Sequence, residues 1–146
     1  MNTSAATQYR TQQLMTASSA QRVAMLFDKA IGSLQEAIEA IGQGDIQGRW
    51  RANKRAMDIV ASLASSLDME QGGVIAAKLH DLYRFVLMRL VDVDIRNDPK
   101  PANEVIGLLS PLRESWHEIA SSISTPLQPT SATDAALEPG SVRITA

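Results

Sequence analysis

Residues 79–98 read LHDLYRFVLMRLVDVDIRND and carry the pattern that decides the fold. Helical spacing places a line of apolar residues on one side of this segment, namely Ile75, Leu79, Leu82, Val86, Leu90 and Val93. A second apolar line lies beside it and consists of Ala76, Tyr83, Leu87 and Val91. Together the two lines are wider than the stripe of about 100° that an ordinary surface helix buries. The sequence therefore predicts an amphipathic helix with additional apolar surface.

This additional surface has two interpretations. In the first, the helix is packed between two others and is more buried than its neighbours. In the second, the surface is a groove that receives a helix of a partner. Periodicity alone does not separate the two.

Three further segments show the same helical spacing. The first begins at an N-cap formed by Ser18 or Ser19 and has a core line of Val23, Leu26, Phe27, Ala30, Ile31, Leu34, Ala37, Ile38 and Ile41. The second covers about residues 46–67, with a core line of Ile46, Trp50, Met57, Val60, Ala64 and Leu67. A shoulder widens its apolar face and consists of Ala52, Ala56, Ile59 and Leu63. The fourth helix has a core line of Val105, Leu108, Leu109, Leu112, Trp116, Ile119 and Ile123.

Short turns that contain glycine or proline separate these segments, at residues 42–45, 68–73 and 97–99. Four amphipathic helices joined in this way predict an all-α protein, an antiparallel up-and-down four-helix bundle of residues 18–123. Pro111 either kinks the fourth helix or marks a fresh start with Ser110 as its cap.

The two ends of the chain have a different composition. Residues 1–17 are polar and show no sustained period, which predicts a mobile N-terminal arm. Residues 124–146 are rich in Ser, Thr, Ala and Pro, which predicts a disordered C-terminal tail.

Composition excludes several functional classes. The chain has 146 residues, a formal net charge of −2 and no cysteine. The length suits one domain, and the charge gives no overall attraction for nucleic acid. Without cysteine there are no disulfides and no thiolate zinc sites. No apolar signal segment or membrane span is present in the sequence, so we expect a cytoplasmic protein without membrane insertion.

Polar residues in the second helix are open to more than one interpretation. Asn53 lies in the middle of its apolar face, where it either bonds across the bundle to fix register or bonds the backbone of a partner. Basic residues surround it, namely Arg49, Arg51, Lys54 and Arg55. They form either a solvated face, which we favour, or a site for an acidic partner.

One constellation suggests an enzyme. Glu114 and His117 form an E-x-x-H pair of the kind that ligates iron in di-iron bundles. Such a site needs the motif twice, and the other histidine, His80, has Ala77 in the position of the glutamate. We therefore predict no catalysis, no metal and no cofactor.

Residues 82–98 resemble the most characteristic segment of the FliS family of flagellar secretion chaperones. The matching positions are Leu82, Tyr83, Phe85, Leu90 and Asp98. Val93 and Asp94 replace a usual Ala-Asn pair, so position 94 can accept hydrogen bonds but not donate them. A second match follows Tyr9, at Thr16, Ala17, Ser18, Met25, Leu26, Asp28, Ala30 and Ile31.

The resemblance implies a cytoplasmic chaperone that binds the disordered C-terminal segment of flagellin and prevents its premature polymerisation. It also implies delivery to the flagellar type III export apparatus, with the export gate as a second partner and a monomer or weak dimer as the free form. Tyr9 on the arm would occupy a groove when the client is absent. The residues predicted to bind the partner are Tyr9, Asn53, Ile59, Leu63, Tyr83, Leu87, Val91 and Asp94. The alternative function is a homo-oligomerising helical adaptor or regulatory protein with no flagellin client.

Overall fold

The computed structural model describes residues 19–124, which form four helices. They are α1 (Ser19–Gly42), α2 (Ile46–Ser65), α3 (Met69–Arg96) and α4 (Pro99–Ser124). Helix α1 packs against α2 and α4, and α3 packs against the same two helices. This closed ring of neighbours confirms the predicted antiparallel up-and-down four-helix bundle. The predicted N-terminal arm, Ser18 and all of the predicted tail except Ser124 lie outside the described residues.

Two of the three connections follow the sequence prediction. Asp45 caps α2, since its carboxylate accepts a hydrogen bond of 2.8 Å from the backbone N–H of Gly48. Asn97 ends α3 in the left-handed conformation, with φ of 51°. Pro99 then begins α4, where a missing backbone N–H costs no helical hydrogen bond. These short connections fix the antiparallel direction of each helix pair.

The predicted turn at 68–73 is partly wrong. Helix α3 already begins at Met69, because the carboxylate of Asp68 accepts from the backbone N–H groups of Glu70 and Gln71. Gly73 then interrupts the helical conformation, with φ of 53° and ψ of −128°. The first turn of α3 is thus a separate piece that the glycine joins to the long helix.

The core lies between all four helices. Its largest fully buried side chains are Phe27, Leu34, Val60, Val86, Leu90, Val93, Val105 and Leu109. For α1 and for the middle of α3 and α4, these residues belong to the predicted core lines.

The core line of α2 was wrong at its first two positions and right at Val60, which is fully buried. Ile46 and Trp50 are 59% and 53% exposed, whereas Ala52 and Ala56 of the predicted shoulder are buried. Asn53 is fully buried beside them. Because its amide bonds to α3, this contact fixes the rotation of α2 and brings the small residues inward.

Two assignments on the other helices also need correction. Ile75 is exposed, while Ala76 and Tyr83 of the second line are buried in the core, so the centre of the buried face of α3 lies between the two predicted lines. Ile119 of α4 is exposed. Helix α4 runs through Pro111 without a restart, and the hydroxyl of Ser110 donates a hydrogen bond of 2.7 Å to the carbonyl of Ile106.

Replacement of Leu90 by alanine tests the centre of the core. The side chain is fully buried, so we expect a loss of about 2–5 kcal/mol in the free energy of unfolding, measured by urea denaturation. Met88→Ala on the exposed side of the same helix is the control and should change this value by less than about 0.5 kcal/mol. Equal losses in the two variants would contradict the assignment of the core.

Candidate partner-binding surface

A group of four polar side chains joins the first turns of α2 to the last turns of α3. We call it the polar lock; it consists of Arg49, Asn53, Asp94 and Asn97. The amide nitrogen of Asn53 donates to the carbonyl of Leu90 at 2.8 Å and to the carboxylate of Asp94 at 3.0 Å. Arg49 donates to the other oxygen of Asp94 at 3.0 Å and to the side-chain oxygen of Asn97 at 2.6 Å. Asp94 thus accepts from both residues on α2.

Most of the polar lock is buried, so the stability of the bundle depends on its hydrogen bonds. Asn53 is fully buried and Arg49 is nearly so, while Asp94 retains partial contact with solvent. A cation removed from water in this way is tolerated because two acceptors surround it. Among residues 19–124, the side-chain oxygen of Asn53 has no hydrogen-bond partner.

The basic residues of α2 mostly form the solvated face that we favoured, because Arg51 and Lys54 are exposed and Arg55 is partly exposed, whereas Arg49 is buried. Arg49 belongs to the polar lock, and Arg55 forms an ion pair with Glu36 of α1 at 3.1 Å. Lys54 pairs with Asp58 at 3.0 Å on the same helix. Within residues 19–124, Arg51 is the one member of this group without an ion pair, so a concentrated site for an acidic partner is absent from this stretch of α2.

The eight candidate residues are distributed over very different environments. Tyr9 lies outside the described residues. Asn53, Leu63 and Tyr83 are buried, and the half-buried candidates are Ile59, Leu87 and Asp94. Val91 is 41% exposed. Their binding roles stay predictions, but the structure brings only Val91, Leu87 and Asp94 together near the surface of α3.

Ile59 faces another part of the bundle. It lies one turn after Arg55, whose guanidinium reaches α1. Asn53, in contrast, reaches α3. Helical spacing therefore places Ile59 toward α1 and away from Val91.

Most of the exposed apolar surface was not predicted from the sequence. On α2 it comprises Ile46 and Trp50, which line a shallow depression together with Gln47 and Arg51. On α3 it includes Met69, Val74 and Ile75 near the start of the helix. Further along, four exposed residues form a line that we call the outer stripe, Phe85, Met88, Val91 and Ile95. The sequence does contain a pattern that predicts the outer stripe, because its residues recur at intervals of three and four. Val91 belongs to the predicted second line, but the other three residues were overlooked because they lie opposite the core line rather than beside it.

The polar lock brings the two apolar regions to the same end of the bundle. Arg49, next to Trp50 in sequence, bonds to Asp94, which is next to Ile95. The exposed apolar residues of α2 therefore lie at the level of the last turns of α3, at the same end of the bundle as Val91 and Ile95. A partner helix could contact both helices there.

The E-x-x-H pair does not assemble a metal centre. His117 lies 2.9 Å from the carboxylate of Asp28 on α1, and Arg113 lies 3.9 Å from the same carboxylate. Glu114 is exposed and makes no contact with this group. Over residues 19–124, no cluster of three or more metal-ligating side chains could hold a metal ion. None of the four helices is long and apolar enough to span a membrane.

Comparison with known proteins gives a consistent result. A family model described as flagellar protein FliS matches residues 1–123. The flagellar secretion chaperone FliS of Salmonella typhimurium is 39% identical over 108 residues, which cover 73% of this chain and 80% of the relative. The protein of the same name from Vibrio cholerae is 36% identical over 107 residues, 73% of this chain and 79% of its own. The flagellar secretion chaperone FliS of Escherichia coli is 31% identical over 106 residues, which cover 72% of this chain and 78% of the relative.

The polar lock can be tested by removal of its shared acceptor. Asp94→Ala leaves the nearly buried Arg49 with one acceptor and removes one bond of Asn53, so we expect a loss of about 1–3 kcal/mol in the free energy of unfolding. Asp94→Asn keeps an acceptor oxygen and should lose less. Lys54→Ala, which breaks an exposed pair, is the control and should cost less than about 1 kcal/mol in urea denaturation. If Asp94→Ala costs no more than this control, the lock does not stabilise the bundle.

Burial of Tyr83 predicts a pH dependence at the alkaline end. Desolvation raises the pKa of its phenol above the ordinary tyrosine value, so the folded protein keeps it neutral at a pH at which the unfolded chain ionises. The contribution of the neutral Tyr83 phenol to stability is complete below about pH 10. It is lost as the pH rises from there toward the pKa of Tyr83 in the folded protein. The free energy of unfolding of Tyr83→Phe should therefore fall less between about pH 9 and 11 than that of the unchanged protein. Parallel pH profiles for the two proteins would contradict this.

Proposed function

The chain belongs to the FliS family of flagellar secretion chaperones, as its motifs predicted, and on this premise we propose that its client is the C-terminal segment of flagellin. The protein would hold this segment in the cytoplasm, prevent its premature polymerisation and support its delivery to the type III export apparatus. The export gate would be its second partner, and no cofactor would be needed.

The exposed apolar surface of α2 and α3 carries this proposal. Trp50 is 53% exposed, although a large aromatic side chain gains most when it is buried. Ile46 and the outer stripe extend the apolar surface around it. Contiguous apolar surface on a small protein is typical of a site that binds another chain.

The chemistry of the client fits such a surface. A flagellin segment that forms coiled-coil contacts in the filament would carry a line of apolar residues at helical spacing. That line would associate with other copies before export unless it is covered. A helix laid along α2 and α3 would bury its apolar side against Trp50 and Val91.

The energetics would also permit release. A disordered client loses conformational entropy when it orders on the chaperone, so a large contact area gives only moderate affinity. Moderate affinity allows the client to leave during export.

We propose different roles for the candidate residues according to where they lie. Val91 and Leu87 would touch the client, together with Ile46 and Trp50. Asn53 and Asp94 would act through the polar lock by holding α2 and α3 at a fixed rotation. Leu63, Tyr83 and Ile59 would support this surface from the core and from the α1 side. Tyr9 would cover the surface when no client is bound.

Titration calorimetry with a C-terminal flagellin peptide from the same source tests this function. The full chain should bind with a negative heat-capacity change, because apolar surface is buried. Trp50→Ala should weaken binding at least about tenfold if the side chain anchors the client. Val91→Asp should have a similar effect.

Ile119→Asp is the matched control for Val91→Asp. Ile119 is exposed to a similar degree, but it lies on α4, which does not pack against α2. This variant should bind as the unchanged protein does. No binding by folded, unchanged protein would reject flagellin as the client, whereas an equal loss in Ile119→Asp would reject the proposed surface.

A further inference from the structure

The core lines of α3 and α4 continue to a place where the described bundle does not cover them. Ile75 of α3 is 71% exposed, and Ile119 of α4 is 44% exposed. Both residues belong to the lines of apolar residues that helical spacing assigns to the core. Their exposure therefore shows where residues 19–124 leave the core uncovered.

Helical spacing places these two residues opposite each other, between α3 and α4. The guanidinium of Arg89 on α3 contacts the carboxylate of Glu104 on α4 at 2.7 Å, which fixes the relative level of the two antiparallel helices. Ile75 lies 14 residues before Arg89, and Ile119 lies 15 residues after Glu104. Each interval is about four helical turns, so the two isoleucines stay on the facing sides of the helices and reach the same level.

We call this region the open cleft. Its mouth is formed by Ile75 and Ile119, and half-buried residues continue it toward the core, namely Leu79, Leu82 and Trp116. The open cleft lies at the end of the bundle where α3 begins and α4 ends, because neighbouring helices run in opposite directions. Trp50 and Ile95 are exposed at the other end. The open cleft is therefore separate from the proposed client surface.

We propose that residues 125–129 of the same chain, TPLQP, dock in the open cleft, with Leu127 packed between Ile75 and Ile119. The C-terminal tail continues directly from α4, which supplies Ile119. The N-terminal arm joins the chain at α1, which packs against α2 and α4 and lies across the bundle from α3. Of the two ends of the chain, the tail therefore has the shorter path to the open cleft.

The length of the chain permits this contact. Ile119 lies five residues before Ser124, which is about 8 Å along the helix axis. Leu127 lies three residues after Ser124, and an extended chain covers roughly 10 Å in that number of residues. Pro126 disfavours helical conformation at Thr125, so the chain can leave the axis of α4 at this point. Leu127 can thus return to the level of Ile119.

The composition of the docking segment suits an apolar cleft. Residues 125–133 contain no charged side chain, so docking buries no ion. Pro126 and Pro129 restrict the backbone on both sides of Leu127, and a restricted chain loses less conformational entropy when it is ordered. The segment lies beyond the residues that match the family model, which end at residue 123. The contact is therefore assigned to this chain and not to the family.

Docking gives the tail a role that does not depend on the identity of the client. It covers apolar residues at one end of the bundle, where they would otherwise promote non-specific association. Trp50 and Val91 stay exposed at the other end. The tail thus shields the chaperone without closing the surface proposed for the client.

Paired cysteines test the contact in the full chain, which has no cysteine of its own. Leu127→Cys combined with Ile75→Cys should form an intramolecular disulfide under mild oxidation at least about tenfold faster than Leu127→Cys combined with Val74→Cys. Val74 is the matched control, because it is also 71% exposed but lies about 100° around the helix from Ile75, away from the core. Equal rates for the two pairs would overturn the proposal.

The same assay identifies any other occupant of the open cleft. Tyr9→Cys combined with Ile75→Cys should form a disulfide slowly. A faster reaction from position 9 than from position 127 would assign the cleft to the N-terminal arm. A disulfide between two chains in place of one within a chain, seen as a dimer on a non-reducing gel, would assign it to the tail of a second copy. Either result would overturn the proposal.

Amide hydrogen exchange gives a readout that needs no disulfide. In the full-length variant Leu127→Asp, the backbone amides of residues 74–82 and 115–122 should exchange at least about fivefold faster than in the unchanged protein, because the cleft loses its cover. Leu137→Asp changes the tail outside the docking segment and should leave these rates as they are. Circular dichroism checks that both variants are folded. Unaltered exchange in folded Leu127→Asp would show that residues 125–129 do not cover the cleft.

Discussion

The hydrogen bond from the buried amide of Asn53 to the carbonyl of Leu90 is the contact on which the arrangement of α2 and α3 depends. If a buried amide loses its hydrogen-bond partner, the free energy spent in removing the amide from water is no longer compensated. A rotation of α2 that breaks this bond would therefore destabilise the fold. The rotation directs Ala52 and Ala56 inward and Trp50 outward. A single polar contact in the interior thus determines which apolar residues the protein presents to solvent.

The polar lock also shows how charge can be accommodated in the interior of a helical bundle. Asp94 holds the nearly buried guanidinium of Arg49, and Asn97 supplies a second acceptor from the left-handed position at the end of α3. Asn97 therefore ends α3 through its backbone conformation and helps to position Arg49 of α2 through its side chain. These contacts link α2 and α3 at the end of the bundle that exposes Trp50 and Ile95, and a preorganised surface loses little entropy when it binds a chain.

Much of the fold was predictable from sequence, because helix periodicity and turn residues report local structure. The four helices, the turn at residues 42–45 and the stop at residues 97–99 were all predicted correctly. The face of α2 was not, because Trp50 is more hydrophobic than Ala52 and a rule based on hydrophobicity alone places the larger side chain inside. Burial of Arg49 was also missed, since its partners Asp94 and Asn97 are far away in sequence. Sequence spacing predicts which residues share a helix face, but contacts between helices decide which face is buried.

Gly73 has a consequence for the interpretation of variation among related sequences. Its φ of 53° and ψ of −128° are accessible to glycine and strained for residues with a Cβ atom. Beyond the adjacent backbone, no atom of residues 19–124 lies within 4 Å of the place that a Cβ would occupy, so the restriction comes from the backbone and not from crowding. If related chains retain glycine at this exposed position, its constancy reports the geometry of a helix junction and gives no information about client recognition. Residues of the outer stripe carry no such backbone constraint, so their variation can follow the partners that each chaperone meets.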